Sequence, residues 1–285
     1  MVGSHGCFVW YELTTTDPDA AKIFYSDVVG WRTRDASTPG AAYTLFVAGD
    51  DAVAGATGLS AEARKMGAQP RWMGYVGVDD VDAATERLQR LGGAVYVPPT
   101  DVPGVSRFSV VADPQAATLA LVKGLNSGQQ QSGALGMPGH VGWHELSAVD
   151  WEQAFAFYGE LFGWQKVEAD FGGVGTYLLF SAGGQTVGGM FTKPPTAPMP
   201  FWLYYFNVGD LDAAAKRVKA GGGKILEGPV EARGGNRIVR CTDPQGAMFA
   251  LRAGRPEAIG YFGRAAADDP AASRFFMPKK TGPSG

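Results

Sequence analysis

The first stretch of the chain alternates between two faces. From Cys7 to Thr14, large apolar or aromatic side chains occur on both faces, which is typical of a strand covered on both sides. After it the spacing becomes helical, with Phe24, Tyr25 and Val28 on one face, and it stops at Gly30. The pattern therefore predicts a strand followed by an amphipathic helix.

Short apolar runs separated by turn residues follow this helix. They predict three strands, at residues 31–34, 43–48 and 53–58, which complete a β-α-β-β-β unit. The same order then recurs. It predicts a strand at 71–78, a helix at 81–91 that ends at two glycines, and strands at 94–97, 107–111 and 118–122.

The second half of the chain repeats the first. Trp10-Tyr11-Glu12-Leu13 returns as Trp143-His144-Glu145-Leu146, a shift of 133 residues that also relates Phe24-Tyr25 to Phe157-Tyr158. In the later units the shift is 130 residues, as between Trp72 and Trp202. A constant shift indicates an internal duplication. We predict domains at 6–124 and 139–254, a polar linker at 125–138, and an extension at 255–285 with a disordered end.

The ordered motifs resemble one superfamily. W-x-E-L, then D-x-x-x-x-x-x-F-Y, then G-W, and D-P-Q-[AG] near the end of each half, resemble the vicinal oxygen chelate superfamily of glyoxalases, bleomycin-resistance proteins and dioxygenases. The resemblance implies an α+β fold. Its four β-α-β-β-β units would form two paired, cup-shaped mixed sheets, with the helices outside and the ligand inside.

Composition narrows the function classes. The 285 residues carry a formal net charge of −3, and the basic residues are scattered, so nucleic acid is not an expected partner. We find neither an apolar run of about 20 residues nor a signal peptide, and we expect a cytoplasmic protein without a membrane partner. Cys7 and Cys241 have no metal or redox spacing and are expected to be reduced core thiols.

The resemblance also locates where metal-dependent relatives carry their ligands. Counting seven residues back from the helix-capping aspartates, or seven on from the Asp of D-P-Q, reaches Trp10, Trp143, Met73, Leu203, Ala120 and Ala250. The last strand of each first unit offers only glycine and alanine around Gly55 and Gly189. Because these side chains do not supply the nitrogen and oxygen ligands of Zn²⁺, Ni²⁺ or Fe²⁺, we expect no metal and no cofactor.

Strand alternation predicts what faces each cup instead. If Trp10 points inward, Glu12 does too, and the same holds in the second copy. The predicted ligand-binding residues are aromatic, apolar or charged, with one amide: Trp10, Glu12, Tyr43, Met73, Tyr75, Arg107, Trp143, Glu145, Tyr177, Leu203, Tyr205, Asn207 and Arg237. Flat or cationic molecules would gain from the indole faces and the carboxylates.

Two functions from different classes fit this composition. The first is metal-independent binding of a small aromatic or amphipathic molecule in one or both cups. The alternative is a glyoxalase-like lyase or isomerase in which Glu12 or Glu145 acts as general base. A third interpretation makes the two glutamates structural partners of Arg107 and Arg237. The duplication is compatible with a monomer or a homodimer.

Other residues receive structural interpretations. His144 takes the place of Tyr11 in the repeat and is expected to be a packed side chain rather than a base. Arg64 and Lys65 are expected in a solvated loop. Helix caps or turns are predicted at Asp17, Asp80, Asp113, Asp150, Asp210 and Asp243.

Overall fold

A computed structural model describes residues 4–124, 134–168, 177–232 and 235–254. The first half consists of β1 (Phe8–Thr15), α1 (Pro18–Val29), β2 (Arg32–Asp35), β3 (Thr44–Ala48), β4 (Asp51–Gly58), α2 (Ala61–Lys65), β5 (Arg71–Gly77), α3 (Val81–Arg90), β6 (Ala94–Val102), β7 (Ser106–Ala112) and β8 (Thr118–Lys123). The predicted extension at 255–285 lies outside the described residues, as does most of the predicted linker.

The second half repeats this order after a 3-10 turn at Ala134–Gly136. It consists of β9 (Val141–Ala148), α4 (Trp151–Phe162), β10 (Gln165–Val167), β11 (Tyr177–Ala182), β12 (Gln185–Thr192), β13 (Phe201–Asn207), α5 (Leu211–Ala220), β14 (Lys224–Glu231), β15 (Arg237–Thr242) and β16 (Met248–Ala253). Among the described residues, no helix is both long and apolar enough to cross a membrane.

Each half folds into one mixed sheet of eight strands. The strand order is β2-β3-β4-β1-β5-β8-β7-β6 in the first sheet and β10-β11-β12-β9-β13-β16-β15-β14 in the second. Strand β1 runs parallel to β4 and antiparallel to β5, and β9 has the same relation to β12 and β13. The predicted α+β fold is confirmed, and each β-α-β-β-β unit pairs with its neighbour in sequence.

Local signals place the helix ends. In each of the four longer helices an aspartate side chain accepts a hydrogen bond from a backbone N–H of the first turn, as predicted for Asp17, Asp80, Asp150 and Asp210. Helix α1 ends at Gly30 with φ of 87°, a left-handed conformation that glycine adopts at little cost.

One predicted loop is a helix. Arg64 and Lys65 belong to α2, in which the Ser60 hydroxyl accepts a hydrogen bond from the N–H of Ala63 at 3.0 Å. None of its residues is buried, so the hydrophobic periodicity that identifies longer helices is missing. The prediction of a loop was therefore wrong, and the cap at Ser60 was the available signal.

The two halves share one continuous core. Tyr11 and Leu13, on one face of β1, belong to the same buried cluster as Leu146 of β9 and Phe206 of β13. Trp10, on the other face of β1, lies in a separate cluster that is confined to the first sheet. From Trp10 onward the alternation predicted for β1 is confirmed: one face joins the two halves, and the other lines a cup. Before Trp10 a register shift reverses it, so that Phe8 packs in the shared core and Val9 in the cup cluster.

Buried hydrogen bonds cross the junction in matching pairs. The Tyr25 hydroxyl donates to Asp243 at 3.1 Å and accepts a hydrogen bond from the Trp72 indole at 2.8 Å. The duplicated counterpart links Asp113, Tyr158 and Trp202. The two aspartates form turns as predicted, since each accepts from the following backbone, and they also fasten the halves together.

His144 lies on this junction as a packed residue, as predicted. Its Nδ1 is 2.7 Å from the carbonyl oxygen of Val187, which can only accept, so Nδ1 carries the proton of the neutral ring. Its Nε2 therefore accepts from the Tyr11 hydroxyl at 2.6 Å, and its ring stacks on Phe8 with centroids 4.0 Å apart. Burial lowers the pKa of His144 from 6.5 to about 4, although the hydrogen bond to Val187 opposes the change.

This buried imidazole is expected to make the fold sensitive to acid. Its folded-state pKa lies below the unfolded value, so the unfolded chain takes up the proton first. The associated stability is complete above pH 6.5 and is lost as the pH falls towards 4, about 3 kcal/mol in all for a shift of this size. Urea unfolding of the wild type and His144→Gln across this range measures the difference.

The comparison with His144→Gln is needed because other buried groups stabilise the folded state as the pH falls. Burial raises the pKa of the Asp113 and Asp243 carboxyls, so they bind protons first in the folded state and favour it as the pH falls. Equal pH dependence in the wild type and His144→Gln would contradict the assignment to His144.

Candidate functional site

Four side chains form a hydrogen-bonded group in the first cup, called here the first quartet: Trp10, Glu12, Tyr43 and Tyr75. The Trp10 indole donates to the Tyr43 hydroxyl at 3.1 Å, and that hydroxyl donates to Glu12 Oε2 at 2.9 Å. The Tyr75 hydroxyl donates to Glu12 Oε1 at 3.1 Å. Each carboxylate oxygen of Glu12 thus accepts a hydrogen bond from one tyrosine hydroxyl.

Strand register assembles the first quartet. Trp10 and Glu12 are two residues apart on β1 and share a face, and Tyr75 of β5 lies opposite Trp10. Gly55 of β4 lies opposite Glu12 on the other side. A Cβ atom at Gly55 would overlap the Tyr43 ring, so glycine is what allows this ring to reach the carboxylate.

The carboxyl group of the first quartet is partly buried and has no cationic partner among the described residues. Glu12 is half-buried, and none of the ion pairs formed by the described residues includes it. Burial raises the pKa of Glu12, and the hydrogen bonds from Tyr43 and Tyr75 offset only part of this effect. The first cup therefore holds a carboxyl group that is ready to gain a proton or a cation.

The second cup repeats this arrangement in a second quartet: Trp143, Glu145, Tyr177 and Tyr205. The indole donates to Tyr177 at 2.9 Å, and the two phenols donate to Glu145 at 3.1 and 3.0 Å. Gly189 makes room for the Tyr177 ring, as Gly55 does for Tyr43. Eight of the predicted ligand-binding residues are thus brought together in two equivalent groups.

An arginine that the sequence reasoning missed completes the second cup. One terminal nitrogen of Arg240 lies 2.5 Å from Glu145 Oε1, and its Nε donates to the Tyr205 hydroxyl at 3.2 Å. Its other terminal nitrogen pairs with Glu227 at 2.8 Å. Burial acts to lower the pKa of Arg240, but the interactions with Glu145, Tyr205 and Glu227 together outweigh it and the pKa is raised.

Arg107 and Arg237 are not brought to the glutamates. Arg107 forms ion pairs with Asp82 at 2.7 Å and Asp101 at 2.9 Å, and Arg237 pairs with Asp212 at 2.7 Å. The structural pairing predicted between these arginines and Glu12 or Glu145 is therefore wrong.

Alternation along β15 gives the reason. Arg237 and Arg240 are three residues apart and fall on opposite faces. Ile238 packs into the cup, whereas Val239 and Cys241 belong to the shared core. The same alternation places Arg240 on the cup face of β15. Because Arg240 has no charged counterpart in the first half, comparison of the two repeats did not identify it.

The remaining predicted cup residues separate into two kinds. Met73 and Leu203 pack in the cup clusters beside Tyr75 and Tyr205. Asn207 instead donates from its amide to the carbonyl oxygens of Leu135 and Met137, both at 3.0 Å. A register shift between Tyr205 and Phe206 precedes it in the pairing with β9, so simple alternation does not extend to Asn207.

The donor set around the quartets does not fit a metal of the glyoxalase or dioxygenase type. In the described part of the chain, no three His, Cys, Asp or Glu side chains come close enough to share an ion. Each quartet contributes one carboxylate. Its indole donates to one phenol, and both of its phenols donate to the carboxylate. Such groups do not replace the imidazoles and carboxylates of these sites.

An open groove of about 460 Å³ lies between the two halves, away from both quartets. Two polar pairs lie in its lining, since His5 lies 3.3 Å from Asp79 and Arg87 lies 3.4 Å from Glu160. The quartets, which combine burial, aromatic faces and perturbed acid–base groups, are the stronger candidates for chemistry.

Comparison with solved structures supports the fold. The chain has a TM-score of 0.62 to a Mn(II)-bound glyoxalase from Novosphingobium aromaticivorans, at 16% identity over 87% of this chain and 82% of that one. Its TM-score to the 2,3-dioxygenase LapB from Pseudomonas sp. KL28 is 0.61, at 12% identity over 90% and 96% of the two chains.

Sequence comparison identifies closer relatives. The chain is 32% identical over 252 residues to a candidate glyoxylase, CFP32, of Mycobacterium tuberculosis, covering 87% of this chain and 95% of that protein. It is also 32% identical over 271 residues to the anthracycline biosynthesis protein DnrV of Streptomyces peucetius, covering 90% and 97%. The family model matches residues 8–121 and 139–251. The chain belongs to the glyoxalase/bleomycin resistance protein/dioxygenase superfamily.

Proposed function

We propose that the protein binds a small aromatic molecule in its aromatic cups without using a metal. The observation that carries this proposal is the quartet, which places an indole, two phenols and a carboxylate in each cup. In the first cup the indole of Trp10 stands where the resemblance implies a first metal ligand. Apolar walls with a few convergent polar groups are typical of small-molecule sites.

The relatives support an aromatic ligand. Two similar proteins are named for anthracycline biosynthesis, and anthracyclines are fused-ring aromatic compounds. A flat ring system of this kind gains from stacking on indole and phenol rings, by about 0.5 to 1.5 kcal/mol for each aromatic pair beyond its buried area.

Binding of 9-anthracenemethanol by EDTA-treated protein tests this function. We expect saturable binding in isothermal titration calorimetry, unchanged by the chelator. Trp10→Ala or Trp143→Ala is expected to weaken binding about tenfold at the cup concerned, because a stacking surface is lost. Ile23→Ala, whose side chain is 68% exposed, is the control.

Three results would count against the proposal. They are no binding by folded wild type, binding that neither tryptophan variant weakens, and binding that disappears with EDTA and returns with one equivalent of Zn²⁺, Ni²⁺ or Fe²⁺. Thermal unfolding of each variant separates the loss of a contact from the loss of the fold.

The raised pKa of Glu12 favours a second candidate, a lyase or isomerase that moves a proton. A general base works best when its pKa is near the operating pH, and Tyr43 or Tyr75 would stabilise a developing oxyanion by hydrogen bonding. Glu12→Gln discriminates between the two functions. Loss of turnover with binding retained indicates the enzyme, whereas a change in binding alone indicates the binding protein.

A further inference from the structure

The duplication provides a comparison between two cups built on the same quartet. Two positions beside the second quartet, and a third that pairs with one of them, carry charges, whereas their counterparts in the first half are valines. Under the shift of 130 residues, the pairs are Val97 and Glu227, Val110 and Arg240, and Val122 and Arg252. Val110 and Arg240 have matching registers, since they lie opposite Ala120 and Ala250.

In the second cup these charged side chains occupy the space above the quartet. The Arg240 guanidinium contacts both Glu145 and Tyr205. Arg252 is buried, with its guanidinium carbon 6.0 Å from the centroid of the Trp143 ring. The carboxylate of the second quartet is thus neutralised by the protein's own cation, and its indole is approached by another.

In the first cup the same carboxylate has no such partner. Among the described residues, Glu12 accepts hydrogen bonds from two tyrosine hydroxyls and forms no ion pair. Val110, at the position of Arg240, contributes only an apolar side chain. Glu12 is half-buried, whereas Glu145 is 5% exposed, so the glutamate of the first cup is the more accessible of the two. A desolvated carboxylate gains considerably from a cation that arrives with a ligand.

We propose that the first cup binds the cationic group of an aromatic amine on Glu12 and Tyr75, at the place that Arg240 occupies in the second cup. The second cup is closed to such ligands by Arg240, which already pairs with Glu145. This inference rests on the proposed function and adds to it the charge of the ligand and the choice of cup.

The ligand class follows from the surroundings of Glu12. An ammonium or amidinium group supplies the donors and the charge that the Arg240 guanidinium supplies to Glu145. An attached flat ring would pack beside Val110 and approach the aromatic rings of the quartet, which also attract cations. An anion would face the Glu12 carboxylate and be disfavoured.

Calorimetric titration at pH 7 with 2-naphthylmethylamine and its neutral analogue, 2-naphthalenemethanol, tests the proposal. We expect one amine site per chain and at least tenfold tighter binding of the amine. Val110→Arg installs in the first cup the arginine that the second cup already accommodates, and it is expected to abolish amine binding. Val110→Leu, which adds bulk without charge, keeps the preference for the amine.

Two further variants complete the design. Glu12→Gln preserves the shape of the side chain and is expected to make amine and alcohol bind equally, which keeps the proposal testable if Val110→Arg does not fold. Arg240→Val frees Glu145 and is expected to raise the stoichiometry for the amine from one to two.

The outcomes separate this inference from the proposed function. Equal binding of amine and alcohol by the wild type, or two equivalent amine sites, would overturn the inference and leave aromatic binding in place. Binding of neither probe, together with no binding of 9-anthracenemethanol, would remove the proposed function itself.

Discussion

Replacing Trp72 with alanine is expected to lower the free energy of unfolding of the whole chain by about 4 kcal/mol, within the range for large aromatic truncations in cores. The side chain is 6% exposed, its ring lies 4.9 Å from that of Phe206 in the other half, and its indole donates to Tyr25. Truncation leaves a cavity on the shared junction and removes one of the two hydrogen bonds of the Tyr25 hydroxyl.

The same substitution tests whether the two halves unfold together. Because a single core cluster contains residues of both sheets, we expect one transition in urea, with tryptophan fluorescence and far-UV circular dichroism coinciding before and after the change. The control Ile23→Ala is expected to change stability by less than about 0.5 kcal/mol. Two separate transitions, with only the first half affected, would show that the halves are independent.

Replacing Arg240 with methionine is expected to cost about 3 to 5 kcal/mol, because it leaves the Glu145 carboxylate buried without its cation. The side chains of this ion pair are 20% and 6% exposed, so water replaces the lost contact poorly. Chemical unfolding at neutral pH measures the loss. Val110→Met, at the matching position of the first cup, enlarges a buried side chain and is expected to cost about 1 to 3 kcal/mol.

A second substitution identifies the cause of that loss. Adding Glu145→Gln to Arg240→Met removes the unpaired charge and is expected to recover part of the stability, which a double-mutant cycle quantifies. If Arg240→Met alone costs no more than Val110→Met, the ion pair is energetically equivalent to an exposed one, and the carboxylate does not need its arginine.

The wrong partner predicted for Glu145 has its origin in the distance along the chain between contacting side chains. Helix caps such as Asp17 and the strand of W-x-E-L depend on neighbours in sequence, so residue spacing was sufficient to place them. The partner of Glu145 depends on a strand 95 residues away, and reasoning from the repeat favoured Arg237 because it has a counterpart in Arg107. The side chain that neutralises the carboxylate is one that the duplication does not preserve.

The sequence by itself determined the duplicated α+β architecture, the position of each tryptophan and glutamate on a cup-facing strand, and the packing role of His144. Periodicity and a constant shift are sufficient for these, because they reflect backbone geometry repeated along the chain. Only the tertiary structure decided that Asp113 and Asp243 fasten the halves together. The tertiary structure also decided that Glu145 pairs with Arg240, whereas Glu12 accepts hydrogen bonds from two tyrosine hydroxyls. Such hydrogen bonds and ion pairs form between side chains that only folding brings together.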